Sequence, residues 1–148
     1  NLENLEDHIK LKQLTQIPLG VGDLGMTTCR EFEPYLHSDA FDIAQPDITL
    51  FGGVSEVMKL QQLLATKDKR IVPHAYNSDI TIAVNSHFLS CQLQQEALEY
   101  STSPSLLRQA LIKNPYSIDS NGMVTIAKEQ DGLGIKLNWD IIQSCTIR

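Results

Sequence analysis

The sequence has 148 residues, of which 12 are Lys or Arg and 18 are Asp or Glu, so its formal net charge at pH 7 is −6. This acidic balance argues against a nucleic-acid-binding protein, because such proteins carry a basic patch. With 42% hydrophobic and 20% charged residues, 8 Gly and 6 Pro, the composition is that of a folded globular protein. It excludes intrinsic disorder and collagen-like or low-complexity fibres.

Targeting signals and cysteine usage indicate a compartment. No apolar run reaches the roughly 18 uncharged residues that a membrane-spanning helix needs, and residues Asn1–Asp7 are acidic where a signal peptide is basic and then apolar. The cysteines, Cys29, Cys91 and Cys145, are odd in number and lack C-x-x-C spacing, which disfavours a disulfide framework and a zinc site. We therefore predict a soluble cytoplasmic protein with neither a membrane nor a nucleic-acid partner.

Short apolar runs alternate with longer amphipathic stretches over the first two-thirds of the chain. This alternation predicts βα units that build a parallel sheet. A helix over Leu5–Leu14 comes first. The predicted strands are Ile17–Val21, Phe41–Ala44, Arg70–Val72 and Ala97–Leu98.

Local signals mark the helices that follow the first three predicted strands. A capping box at Thr28–Glu31 predicts a helix that runs to about His37. After a Gly-Gly break, Ser55 is the predicted cap of the next helix. The third helix should run from about Ser78 to Cys91, and because it is apolar on nearly all sides we expect it to be well buried.

An ionisable residue stands just past each predicted strand: Asp23, Asp47, His74 and Glu99. Their intervals, each about 25 residues, are close to the length of one βα unit. Since the C-terminal strand ends of a (β/α) barrel face one common site, we expect the four side chains to converge there. Each residue taken alone is as readily a helix cap or a solvated loop residue, and the regular spacing favours the shared site.

After Glu99 the βα pattern ends. A short helix is predicted over Ser105–Lys113, ended by Asn114-Pro115. Beyond it, the turn sequence Asp119–Gly122 predicts a hairpin within an extended tail. We therefore divide the chain into a partial (β/α) barrel, residues 1–113 with four βα units, and a C-terminal extension, residues 114–148.

Five short motifs follow one another along the chain: Gln45-Pro46-Asp47, Gly52-Gly53, Val72-Pro73-His74, Leu98-Glu99-Tyr100 and Asp131-Gly132-Leu133-Gly134-Ile135. In this order and spacing they resemble the C-terminal barrel portion of the enolase superfamily, and within it the mandelate racemase/muconate lactonizing enzyme-like proteins, many of which are acid-sugar dehydratases. The resemblance implies an α/β fold that is the C-terminal half of a TIM-like barrel, followed by an extended tail. Residues 114–148 would pack back toward an N-terminal capping domain.

The resemblance also implies a chemistry, which is abstraction of the proton next to a substrate carboxylate with the help of Mg²⁺. Such a proton is too weakly acidic to leave at neutral pH unless a cation stabilises the enediolate. By resemblance, His74 transfers the proton, Asp47 orients its ring, Glu99 hydrogen-bonds the substrate carboxylate or enediolate, and Asp23 binds the metal. The structural alternatives are a histidine bonded to a backbone carbonyl, a helix-entry cap at Asp23 and a plain salt bridge at Glu99.

Asp23 stands where such enzymes usually have glutamate, and its shorter side chain matters for the octahedral geometry of Mg²⁺. Two further metal ligands and a lysine base of the family find no match in this sequence. We therefore expect the chain to be part of a longer enzyme, homo-oligomeric at full length, and inactive without the missing barrel half.

The resulting hypothesis is a Mg²⁺-dependent hydro-lyase acting on a sugar acid or another α-hydroxy carboxylate. His74, or a base from the missing half, removes the α-proton, and His74 protonates the departing β-hydroxyl. A racemase or epimerase on the same scaffold is the first alternative, and a non-catalytic truncated barrel is the second.

Overall fold

The structure, a computed structural model, describes residues 4–76, 78–93, 96–126 and 130–147. The chain divides into two compact units, residues Asn1–His74 and Ala75–Arg148. None of the helices in the described ranges is long and apolar enough to cross a membrane.

The first unit consists of three short parallel strands, each separated from the next by a helix. Its elements are α1 (Leu5–Leu14), β1 (Gly20–Val21), α2 (Cys29–His37), β2 (Ile43–Ala44), α3 (Val54–Ala65) and β3 (Arg70–Ile71). The strand order is β1-β2-β3, and Ile43 of β2 lies opposite Gly20 on one side and Arg70 on the other. Successive strands joined by helices confirm the predicted parallel βα arrangement.

The first two strand-to-helix connections show how local sequence sets the helix starts. Before α2, the Glu31 carboxylate accepts a hydrogen bond from the Thr28 backbone N–H at 2.8 Å, so the predicted capping box and the helix end at His37 are both confirmed. The predicted cap Ser55 is wrong, because α3 starts earlier, after Gly53. Gly53 has a φ of +81°, which glycine adopts without the strain a side chain would bring.

Aromatic rings form the centre of the first unit. The fully buried Phe32 of α2 meets Phe41 and Phe51 edge to face, with ring centroids 6.2 and 5.7 Å apart. Phe41 lies just before β2 and Phe51 just before α3, so the three rings tie α2 to both neighbouring segments. Edge-to-face pairs of this kind add about 0.5–1.5 kcal/mol each beyond their burial.

The second unit consists of helices separated by segments without regular secondary structure. It contains α4 (Asp79–Ser90), α5 (Leu106–Gln109) and α6 (Trp139–Cys145). Helix α4 is buried at seven positions on several sides, as its apolar sequence predicts. The predicted hairpin is also present, since Ile118 and Val124 form an antiparallel bridge around a turn in which Asp119 Oδ1 accepts from two backbone N–H groups.

Three features of the second unit differ from prediction. Ala97–Leu98 is not a strand, because a strand needs backbone partners and no pairing partner for this segment lies among the described residues. Helix α5 is shorter than predicted, because Ile112 instead pairs with Leu137. The tail contains α6 where an extended chain was predicted. With seven residues, α6 is shorter than the window over which apolar periodicity identifies a helix. The domain boundary after residue 113 stays a prediction.

Candidate active site

Backbone pairing past the ends of β2 and β3 brings His74 next to Asp47. The N–H of Val72 donates to the Ala44 carbonyl at 2.9 Å, and the N–H of His74 donates to the Pro46 carbonyl at 3.1 Å. The main chain therefore continues in register beyond the sheet and carries both side chains to the same strand end. This is the C-terminal end at which (β/α) proteins place functional groups.

The imidazole of His74 and the carboxylate of Asp47 form a buried pair. His74 Nδ1 lies 3.2 Å from Asp47 Oδ2, and the two residues are 8% and 1% exposed. The other oxygen of Asp47 accepts from the backbone N–H of Thr49 at 2.9 Å and from its hydroxyl at 2.6 Å. Asp47 is therefore held on both oxygens, and the predicted contact with His74 is present.

The third predicted residue of this group, Asp23, contacts the opposite nitrogen of the same ring. Its Oδ1 lies 3.0 Å from His74 Nε2, and its side chain is 54% exposed. A neutral imidazole has one N–H and can donate to only one of these carboxylates, whereas the doubly protonated ring donates to both. The structure thus gathers Asp23, Asp47 and His74 at one strand end, with His74 between two carboxylates.

A tight glycine turn aims Asp23 at this ring. The Gly22 carbonyl accepts from the N–H groups of Gly25 and Met26 at 2.8 and 2.9 Å. Gly22 has a φ of +119°, and a Cβ there would lie 2.6 Å from Cζ of Phe32. Position 22 therefore requires glycine for both its backbone angle and its close approach to the aromatic cluster.

Replacing Gly22 by Ala is expected to destabilise the first unit by about 2 kcal/mol or more, through backbone strain and overpacking against Phe32. The matched control is Gly25→Ala in the same turn, where the nearest atom to a new Cβ is 3.7 Å away and the change should stay within about 0.5 kcal/mol. Urea unfolding of the two variants measures the difference, and equal midpoints would show that the turn is not constrained at Gly22.

The group at this strand end offers one carboxylate that fits Mg²⁺. The ion prefers oxygen ligands and is commonly held by one or two carboxylates, with water and substrate oxygens completing an octahedron. Asp23 offers such a carboxylate at the partly exposed rim of the group. Within the described ranges, no three His, Cys, Asp or Glu side chains form a cluster that could hold a metal ion. Asp23 thus fits as one ligand of a site that needs further donors.

Glu99 lies in the second unit. It is partly exposed and belongs to residues 96–105, which have no regular secondary structure. The next residue, Tyr100, donates its hydroxyl to the backbone carbonyl of Tyr116 at 2.6 Å. That Glu99 shares a site with the other three residues stays a prediction.

Cys29 and His87 are engaged in structural contacts. Burial raises the pKa of the Cys29 thiol to about 11, and its Sγ lies 3.4 Å from the Glu56 carbonyl, so little reactive thiolate exists at neutral pH. His87 Nε2 lies 3.2 Å from the Leu133 carbonyl.

Two sets of contacts were not predicted from the sequence. Thr49 stands two residues after Asp47, and this spacing is the usual one for a carboxylate that accepts from a following backbone N–H, so a signal existed. The buried ion pair of Asp79 and Arg108 joins residues far apart in sequence, and no short motif announces it.

The sequence matches a known protein family and several curated relatives. The sequence profile of the enolase C-terminal domain-like family matches residues 2–141. The chain is 28% identical to a D-galactarolactone cycloisomerase of Agrobacterium fabrum over 95% of its own length and 38% of that protein, and 28% identical to a D-galactonate dehydratase of Verminephrobacter eiseniae over 95% and 37%. It thus spans well under half of the curated relatives it matches.

A solved structure extends the likeness to the fold. The mandelate racemase/muconate lactonizing enzyme-like protein of Roseovarius sp. TM1035 superposes with a TM-score of 0.84 at 26% identity, covering 97% of this chain and 35% of that one. The fold class predicted from the sequence motifs is confirmed. The chain belongs to the enolase C-terminal domain-like family of the enolase superfamily and is related to its mandelate racemase and muconate lactonizing enzyme members.

Proposed function

We propose that this chain carries the His74 acid/base centre of a Mg²⁺-dependent enzyme that dehydrates a sugar acid. The observation that supports it most is the buried pair of His74 and Asp47 at the end of two neighbouring parallel strands, in a chain of this family. Relatives named D-galactonate dehydratase point to an aldonic acid as the substrate class. The activity belongs to the full-length enzyme that contains this segment.

His74 performs proton transfer in this proposal, and Asp47 keeps its ring in the useful tautomer. With its Nδ1–H donated to Asp47, the ring presents Nε2 as the nitrogen that gains or loses a proton. Nε2 of the doubly protonated ring gives its proton to the β-hydroxyl as the C–O bond breaks, and the neutral ring that remains is protonated at Nδ1. Water leaves, the enol tautomerises, and the product is a 2-keto-3-deoxy acid. The α-proton goes to His74 or to a base outside this chain.

Asp23 has to leave His74 Nε2 for that nitrogen to reach the substrate. Its 54% exposure leaves room for this movement, and the released carboxylate is the group with which the chain would hold Mg²⁺. When bound, the cation stabilises the negative charge that develops on the substrate carboxylate. Glu99, by family resemblance, hydrogen-bonds the same carboxylate, a role that needs its protonated form.

Asp23→Asn is expected to weaken Mg²⁺ binding by the full-length protein by about tenfold or more, because a carboxylate ligand loses its charge. The control is Asp68→Asn, which makes the same chemical change at another exposed aspartate with positive φ. Isothermal titration with Mg²⁺ alone measures both. An unchanged affinity in Asp23→Asn would remove Asp23 from the metal site.

The reaction itself is tested by incubating the full-length protein and Mg²⁺ with a panel of aldonic and aldaric acids, and assaying 2-keto acid formation with semicarbazide. The proposal expects a keto product from at least one acid. Epimerisation without loss of the β-hydroxyl would instead support the racemase alternative. If no acid is dehydrated or epimerised, the non-catalytic alternative stands and the proposal fails.

A further inference from the structure

Side chains, and not a β-ladder, hold the segment that carries Glu99. Residues 96–105 have no regular secondary structure, so contacts of the following residues have to fix its path. The guanidinium carbon of Arg108 stacks 4.5 Å from the Tyr100 ring centroid, and Arg108 Nε donates to the Ser101 carbonyl at 3.1 Å. Arg108 therefore contacts both of the residues that directly follow Glu99.

Arg108 is itself fixed in place. It is 6% exposed and forms an ion pair with Asp79, the fully buried first residue of α4. Its backbone N–H donates to the hydroxyl of Ser105 at 3.0 Å, which caps α5. The ion pair with α4 thus holds the guanidinium, and the Ser105 cap holds the backbone of Arg108.

The buried carboxylate of Asp79 needs the positive charge of Arg108. Burial raises the pKa of the Asp79 carboxyl, and the charge of Arg108 opposes that rise. A buried carboxylate of this kind is tolerated while a cation faces it and is strongly destabilising when the cation is removed. A replacement for Arg108 in a functional test therefore has to keep the positive charge.

Tyr100 is held at both ends. Its ring lies against the guanidinium of Arg108, and its hydroxyl donates to the Tyr116 carbonyl. Cation–π contacts are stronger where the cation is desolvated, and Arg108 is largely buried. Tyr100, the residue after Glu99, therefore has little conformational freedom.

We propose that Arg108 is a positioning residue, which acts through Tyr100 and Ser101 to fix the direction in which Glu99 points. The inference rests on the proposed function for the claim that Glu99 acts on the substrate. Arg108 itself touches no reacting atom in the proposed reaction. Its planar guanidinium stacks on Tyr100 while it donates to Ser101 and faces Asp79, and the compact ammonium of lysine cannot make these three contacts at once.

The first test needs no substrate. Arg108→Lys keeps a charge for Asp79 and should speed amide hydrogen exchange by about tenfold or more at Ser103, whose N–H donates to Ser101 Oγ, while α2 and α3 stay protected. Arg30→Lys, at an exposed arginine of α2, is the matched control. Tyr100→Phe, which loses only the hydroxyl bond, should give a smaller increase and serves if Arg108→Lys fails to fold. Unchanged exchange at Ser103 in the folded variants would overturn the inference.

The second test uses turnover of the full-length enzyme. Glu99→Gln and Arg108→Lys should each lower kcat, the latter by about tenfold to a hundredfold with KM little changed. In the double variant, Arg108→Lys should add almost no further loss, because Arg108 acts through Glu99.

Two outcomes distinguish a failure of this inference from a failure of the proposed function. If Glu99→Gln lowers kcat and Arg108→Lys either has no effect or multiplies fully with it, Arg108 does not position Glu99 and only this inference falls. If Glu99→Gln leaves kcat unchanged, the role of Glu99 in the proposed function falls, and the positioning role falls with it.

Discussion

His74→Asn is expected to lower the turnover of the full-length enzyme by about 10²–10⁴, the usual contribution of a positioned acid or base. Asparagine is close to histidine in size and keeps a hydrogen-bond donor, but it has no nitrogen that can accept and release a proton. Binding of substrate and Mg²⁺ should change little, so the loss appears in kcat and kcat/KM together. Steady-state kinetics and calorimetric titration measure the two quantities.

The control for this prediction is His37→Asn, at an exposed histidine in the last turn of α2. It tests whether losing a histidine anywhere in the chain affects the assay, and its kcat should equal that of the wild type. If His74→Asn also keeps wild-type turnover, His74 is structural. A parallel loss of substrate binding would instead assign His74 to binding and contradict its role in proton transfer.

Asp47→Asn should lower kcat by about the same factor as His74→Asn, although the substitution removes no volume. The Asp47 carboxylate accepts from Thr49 on one oxygen and faces His74 Nδ1 with the other. An asparagine that keeps its oxygen toward Thr49 turns its NH₂ group to Nδ1, which then has to be the unprotonated nitrogen. The ring is thereby locked in the tautomer that leaves Nε2 carrying the proton, so Nε2 cannot accept one.

The tautomer can be read directly from the ¹⁵N shifts of the His74 ring. We expect the neutral ring to be protonated at Nδ1 in the wild type and at Nε2 in Asp47→Asn, with kcat lower by about 10²–10⁴. Thr49→Val keeps the charge of Asp47 and removes one donor to it, so it should retain the wild-type tautomer with a much smaller loss. Wild-type kcat in Asp47→Asn would show that the ring needs no carboxylate partner.

The parallel βα core was predictable because its signals are local. The capping box at Thr28 and Glu31, the turn glycines and the apolar faces of α2 and α3 depend on residues within a few positions of one another. Strand lengths were less predictable, since a strand ends where its neighbour stops pairing, and this depends on distant residues. The same reason explains the missing strand at 97–98 and the short α5.

The candidate site was predictable in part. Regular spacing identified Asp23, Asp47 and His74, and the family motifs supplied the pairing of His74 with Asp47. The contact of Asp23 with His74 Nε2 was not predicted, because it depends on the backbone direction set by Gly22 and on the packing of Phe32 beneath that glycine. The anchoring of Tyr100 by Arg108 likewise depends on tertiary packing and has no sequence signal.

The most direct test of the central claim follows the substrate carbons in heavy water. The full-length protein, with Mg²⁺ and a sugar acid that it turns over, is incubated in D₂O and monitored by ¹H NMR beside its His74→Asn variant. The wild type should produce a 2-keto-3-deoxy acid that carries deuterium at C3, and the variant should produce at least about 100-fold less. Equal rates of dehydration in the two proteins would contradict the assignment of proton transfer to His74.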